Sequence, residues 1–95
     1  MAPGTACVFI SPLEARIVDL ARHFGSAVRR QRNLLRLSQE ELADRAQLDR
    51  SYVGRIERGE QNATLESAQK VSDALGVGLD VLFAVARDIA TGRKD

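Results

Sequence analysis

The sequence predicts an all-α fold of five helices, and three observations support this. Apolar residues recur at spacings of three and four along most of the chain, which is the period of an amphipathic helix. Residues typical of helix starts and ends punctuate this pattern. No stretch forms a convincing strand, although the apolar run at residues 7–10 could pair with one. With 95 residues and 44% apolar content, the chain can build one small core.

The first helix is predicted to begin at Pro12. Ser11 stands at the N-cap position and Glu14 closes a capping box, while proline suits the first helical position. Gly25 could divide this helix, and the sequence leaves that open. To about residue 35 the apolar stripe consists of Leu13, Ile17, Leu20, Phe24 and Val28.

Two short helices are predicted next, joined by a tight turn at residues 46–48. Residues 38–41, Ser-Gln-Glu-Glu, form a second capping box that opens the first of them. Asp49 is predicted to cap the other, which Gly59 ends. A fourth helix is predicted between Thr64 and Gly76, and a fifth covers residues 79–90.

The third predicted helix carries the strongest indication of function. Val53 and Ile56 must face the core, so the opposite, exposed face carries Arg50, Ser51, Gly54, Arg55 and Arg58. Arginine can donate two hydrogen bonds to the O6 and N7 edge of guanine, and serine reaches several base edges. Glycine in a helix costs about 1 kcal/mol relative to alanine. We therefore interpret Gly54 as clearance for DNA, with ordinary drift at a solvent position as the alternative.

Charge and composition exclude several other classes of protein. Between Asp19 and Glu40 the chain has arginines but no acid, which favours a surface that faces phosphates. The single cysteine, Cys7, suits a reducing cytosol, and no stretch approaches the roughly 20 apolar residues of a membrane span. We expect a cytoplasmic protein that does not enter membranes.

Catalytic chemistry is not expected. His23 is the only histidine, so neither a catalytic triad nor a histidine-based metal site can be assembled. A phosphate-cradling glycine-rich loop is absent as well. We expect no enzymatic activity, no metal and no cofactor.

Several landmarks occur together between Leu37 and Phe83. They are Ser38-Gln39, Leu42-Ala43, Leu48, Val53, the RIERG of residues 55–59 and the ALGVGLDVLF of residues 74–83. In combination they closely resemble the lambda-repressor/Cro-like (XRE-type) DNA-binding family, over about residues 24–83. The resemblance implies a five-helix lambda-repressor-like domain that binds double-stranded DNA through a helix-turn-helix. The chain departs from the family at Gln47, where glycine is usual.

The resemblance also implies roles for individual residues. Arg32 and Glu57 match a structural ion pair between the first helix and the recognition helix. Tyr52 suits either a phosphate or a thymine methyl, and a packing role is an equal alternative. The positions that match base-reading residues are Arg50, Ser51 and Arg55. Those that match contacts to the DNA backbone are Ser38, Gln39, Tyr52, Arg58, Gln61 and Asn62.

The predicted organisation is an N-terminal extension at residues 1–20, a DNA-binding domain at 21–90 and a loose tail at 91–95. The extension is expected to be partly helical and to contact a second copy or another protein. We expect a homodimeric regulator on a (pseudo)palindromic operator, autoregulatory and most similar to restriction–modification controller proteins. An antitoxin-like protein that also binds a partner protein is the alternative.

Apolar residues on the fifth helix exceed what one small core needs, so we predict a dimer interface there, with packing inside the monomer as the alternative. The predicted interface residues are Leu79, Leu82, Val85 and Ile89.

Overall fold

The computed structural model describes the backbone of residues 12–92 and the side chains of residues 20–92. This part of the chain contains five helices and no strand, which confirms the all-α prediction. The expectations for residues 1–11, including the Ser11 cap, and for 93–95 lie outside the described residues. The helices are α1 (Pro12–Leu34), α2 (Gln39–Ala46), α3 (Arg50–Glu57), α4 (Leu65–Leu75) and α5 (Leu79–Ala90).

Helix α1 is continuous across Gly25 and across the predicted boundary at residue 20. A Cβ on Gly25 would collide with the backbone carbonyl oxygen of Ile56 and lie 2.9 Å from that of Glu57. Glycine at this position therefore lets α1 approach the end of α3 at backbone contact. The residue marks a helix crossing and not a helix break.

The core lies between α1, which packs on α3 and α5, and α2, which packs on α3 and α4. As the pattern predicts, Val53 and Ile56 face inward from α3. The core cluster consists of Phe24, Ala27, Val28, Leu42, Ala43, Ala46, Val53, Ile56, Ala68, Val71, Leu75, Leu82 and Ala86. This shared core fixes α2 and α3 relative to each other.

The turn between α2 and α3 keeps the geometry of a glycine turn without the glycine. Gln47 has φ 58° and ψ 45°, in the left-handed region, at a cost of about 1 kcal/mol. The Leu48 N–H donates to the Ala43 carbonyl at 2.9 Å, which closes the end of α2. Asp49 occupies the N-cap position of α3, but its side chain makes no capping hydrogen bond, so that part of the prediction is wrong.

The predicted dimer face on α5 is largely used inside the monomer. Leu82 has 0% of its surface exposed and belongs to the core, so its assignment to an interface is wrong. Leu79, Val85 and Ile89 are half-buried against the same core. Much of the apolar surface of α5 is therefore used within the monomer, where α5 packs along α1.

None of the helices among the described residues is long and apolar enough to cross a membrane.

Candidate nucleic-acid interface

The first turn of α2 is fixed by the predicted capping box. Ser38 Oγ accepts from the Glu41 N–H at 3.0 Å, and Glu41 Oε1 accepts from the Ser38 N–H at 2.8 Å. Hydrogen bonding from Ser38 to the Glu41 carboxyl, chiefly from the Ser38 backbone N–H, holds the pKa of that carboxyl below its ordinary value. The capping box therefore fixes the backbone at Gln39, the first residue of α2.

The Glu57 carboxylate is buried where α1, α2 and α3 meet, and it makes the ion pair that the resemblance implies. Arg32 Nε lies 2.7 Å from Glu57 Oε2, and Arg32 Nη2 lies 3.0 Å from Oε1. Arg32 Nη1 also donates to the Leu37 carbonyl at 2.8 Å. The hydrogen bond to Glu57 raises the pKa of Arg32 above its ordinary value. The pair fixes α3 against α1.

Two further side chains use the same carboxylate. Gln39 Nε2 donates to Glu57 Oε1 at 2.9 Å, which orients the amide that was predicted to contact phosphate. Arg29 Nε lies 3.6 Å from the same oxygen. Arg29 was not singled out from the sequence, although its place one turn before Arg32 on α1 is a usable signal.

The predicted base-reading residues lie on the outer side of α3. Arg50 and Ser51 are exposed, and Arg55 is half-buried with its guanidinium carbon 5.9 Å from the centre of the Tyr52 ring. The Tyr52 hydroxyl donates to Ser67 Oγ at 3.2 Å. Tyr52 thus has the packing role that the sequence left as an alternative, and its ring supports Arg55 by a cation–π contact.

Gly54 is buried, so its predicted exposure on the outer face of α3 is wrong. A Cβ on Gly54 would lie 3.2 Å from Arg58 Nη1 and 3.5 Å from Gln39 Oε1. The space above this glycine is therefore occupied by two side chains of the protein itself. Arg58 is held there by Glu60, whose Oε1 accepts from Arg58 Nε at 3.0 Å.

The loop after α3 carries the remaining predicted contacts. Gly59 has φ 74°, and a Cβ there would lie 2.9 Å from Arg22 Cα, so both the turn and the close approach to α1 require glycine. Asn62 is exposed and Gln61 is half-buried. All of the predicted DNA contacts therefore come from the start of α2, from α3 and from this loop.

The sequence did not indicate the acceptors that orient Arg58 and Tyr52. Glu60 and Ser67 lie outside the matched motif positions, and only the structure places them on Arg58 and Tyr52. The described residues contain no group of three or more His, Cys, Asp or Glu side chains that could hold a metal.

A short helix, a left-handed turn and a second helix with an outward polar face are the geometry of a helix-turn-helix. The Helix-turn-helix family model matches residues 28–82. The protein belongs to this family. This helix-turn-helix protein thus has the XRE-type fold that the landmarks at residues 37–83 indicate, and such proteins are DNA-binding transcription regulators.

Three relatives carry related names. The chain is 37% identical to control protein C.MunI of Mycoplasma sp over 67 residues, which is 70% of this chain and 90% of that protein. It is 46% identical to control protein C.BamHI of Bacillus amyloliquefaciens over 55 residues, 57% of this chain and 68% of the relative. The crystal structure of the restriction–modification controller protein C.AhdI from Aeromonas hydrophila superposes with a TM-score of 0.64 at 42% identity, covering 65% of this chain and 94% of C.AhdI.

Proposed function

We propose that this helix-turn-helix regulator is a restriction–modification controller that binds a specific double-stranded DNA operator as a homodimer and regulates its own promoter. The observation that carries the proposal is the buried Glu57 carboxylate. It ties α1 and Gln39 to α3 through Arg32 and its own hydrogen bonds, so the donors of two helices are held as one surface. Similarity to three control or controller proteins supports the controller assignment.

The proposed recognition divides into reading and positioning. With α3 in the major groove, Arg50 and Arg55 donate to guanine O6 and N7, and Ser51 reaches a neighbouring base edge. Contacts to phosphates fix the register of the helix on the duplex but carry no sequence information. The proposed phosphate contacts are Ser38, Gln39, Gln61 and Asn62.

Homodimerisation is proposed because one small domain reads only one half-site. Two copies can read half-sites about 34 Å apart, one turn of the duplex. Exposed apolar side chains give a second copy a surface to cover, and Leu65 at the start of α4 is 81% exposed. Leu20 on α1 and Phe83 on α5 are also exposed and line the same groove of about 240 Å³. This groove replaces the inner face of α5 as the proposed interface.

Selection of bound sequences from a random duplex pool, with the mass of the complex measured in the same buffer, tests the proposal. We expect enrichment of a two-fold symmetric site bound by two chains. The same site is expected upstream of the gene for this protein, because the proposed regulation is autogenous. Binding that selects no sequence and only weakens with salt would refute a specific operator.

Arg50→Ala is the variant that connects the selected site to α3. We expect it to lose discrimination at one base pair in each half-site. Arg87→Ala, which removes an exposed arginine of α5, is the matched control and should leave the selected sequence unchanged. Equal effects of the two variants would contradict the proposed docking of α3.

A further inference from the structure

The Arg58 side chain is folded back over the middle of α3. Its Nε donates to Glu60 Oε1 at 3.0 Å, and its Nη1 lies 3.2 Å from where a Cβ on Gly54 would stand. Gln39 Oε1 lies 3.5 Å from the same point. The guanidinium therefore rests on the backbone at residue 54. We call the space above Gly54, between Gln39 and Arg58, the glycine seat.

The backbone of Gly54 is covered by side chains, but its helical spacing places the glycine seat in line with Arg50, on the side of α3 that the proposed function places in the major groove. Helical side chains lean toward the helix N-terminus, so Arg58, at the end of α3, can deliver its guanidinium one turn earlier. A group held at residue 54 lies between Arg50 and Arg55 along the helix. With α3 docked as proposed, a group there faces the base edges, which carry the sequence information that phosphates do not.

We infer, on the basis of the proposed function, that Arg58 is a specificity-determining residue that donates to a base edge, with guanine as the preferred base. Glu60 is a positioning residue, because its carboxylate accepts from Arg58 Nε and favours this direction of the guanidinium before DNA binds. Gly54 makes the seat possible, since a Cβ there would lie 3.2 Å from Arg58 Nη1 and the guanidinium would have to shift. This assignment replaces the backbone contact that the family resemblance gives to Arg58.

The first test compares Arg58→Ala with Arg87→Ala on the operator selected by the wild-type protein. A lost bidentate contact should weaken binding to that operator about 5- to 150-fold. The loss should be much smaller on duplexes that already carry a substitution at one particular base pair. Arg87→Ala should bind all of these duplexes like the wild type.

Gly54→Ala distinguishes the seat from direct clearance of DNA. Its Cβ meets only side-chain ends, and Arg58 is half exposed and can move, so the fold is retained. Alanine is also the better helix former, and we expect a thermal midpoint at or above that of the wild type. Discrimination should fall at the base pair affected by Arg58→Ala, and Gly54→Ala should have no further effect in an Arg58→Ala background. If it weakens binding equally with and without Arg58, the glycine clears DNA itself and the seat is refuted.

Glu60→Gln tests the positioning role, with Glu66→Gln as control because Glu66 is an exposed acid at 3.7 Å from Lys70 on α4. Only Glu60→Gln should lower discrimination at the Arg58 base pair. Different results would refute the proposed function and the assignment of Arg58. If the wild type selects no site, the proposed function is wrong. If it selects a site and Arg58→Ala weakens every duplex alike, with a salt dependence smaller by about one phosphate contact, only the assignment of Arg58 is wrong.

Discussion

Among single residues, Glu57 shows how the fold and the interface depend on the same atoms. Its carboxylate holds Arg32, whose side chain is 12% exposed, and it also orients Gln39. Glu57→Leu removes the partner of a nearly buried guanidinium, and we expect it to lower the free energy of unfolding by about 3 kcal/mol. Urea denaturation followed by circular dichroism measures this loss.

The matched control for Glu57→Leu is the double variant Arg32→Met with Glu57→Leu. Replacing both partners leaves no unpaired charge, so most of the lost stability should return. Gln39 would still lack its acceptor, and DNA binding should remain weaker than in the wild type. A double variant as unstable as the single one would mean that packing, and not charge, explains the loss.

The role of Arg55 likewise depends on a single side chain and on the tyrosine ring that supports it. The Tyr52 ring lies beneath its guanidinium at 5.9 Å. We expect Arg55→Ala to cost about 1–3 kcal/mol on the selected operator and to relax specificity at one base pair. Competition binding with single-substitution duplexes measures both effects. Equal weakening on every duplex would assign Arg55 to phosphate instead.

At the scale of helices, the starts of α2 and α4 were predictable because their signals are local. Ser38 and Glu41 cap α2, and Thr64 caps α4. Each cap uses hydrogen bonds between residues only three positions apart in the chain. The roles of Gly25 and Gly54 were not predictable, because each depends on a contact with another part of the protein. The Ile56 carbonyl lies against Gly25, and the Arg58 side chain lies against Gly54. Leu82 was assigned to an interface wrongly for the same reason, since its burial depends on how other helices pack against α5.

The capping box of α2 also gives stability a dependence on pH. Hydrogen bonds from Ser38 lower the pKa of Glu41 in the folded protein, so folding favours the ionised carboxylate. That contribution is complete above the unfolded pKa, about 4.3, and is lost as the pH falls through the lower folded value. We expect the thermal midpoints of wild type and Glu41→Gln to differ at pH 7 and to converge as the pH falls below the folded pKa of Glu41.

At the scale of the whole molecule, the monomer leaves apolar surface beside the proposed DNA-binding loop. The groove that Leu65 borders is also lined by Gln61 and Asn62, so a second copy docked there would lie next to the proposed phosphate contacts. Dimerisation and placement of this loop would then be coupled. The spacing of the two half-sites would follow from how the two grooves meet.

Leu65→Glu tests whether dimerisation and operator binding are coupled, in a variant whose monomer should still fold. Leu65 is 81% exposed and begins α4, where an acid is favourable, so the monomer should keep its thermal stability. The buried charge should weaken the dimer at least about tenfold, and operator binding should fall with it. Sedimentation equilibrium measures the first effect and operator titration the second. Leu34→Glu is the control, because Leu34 is 68% exposed at the far end of α1 and does not line the groove. If Leu65→Glu remains dimeric while Leu34→Glu dissociates, the interface lies at the end of α1, and the loop is positioned by the monomer alone.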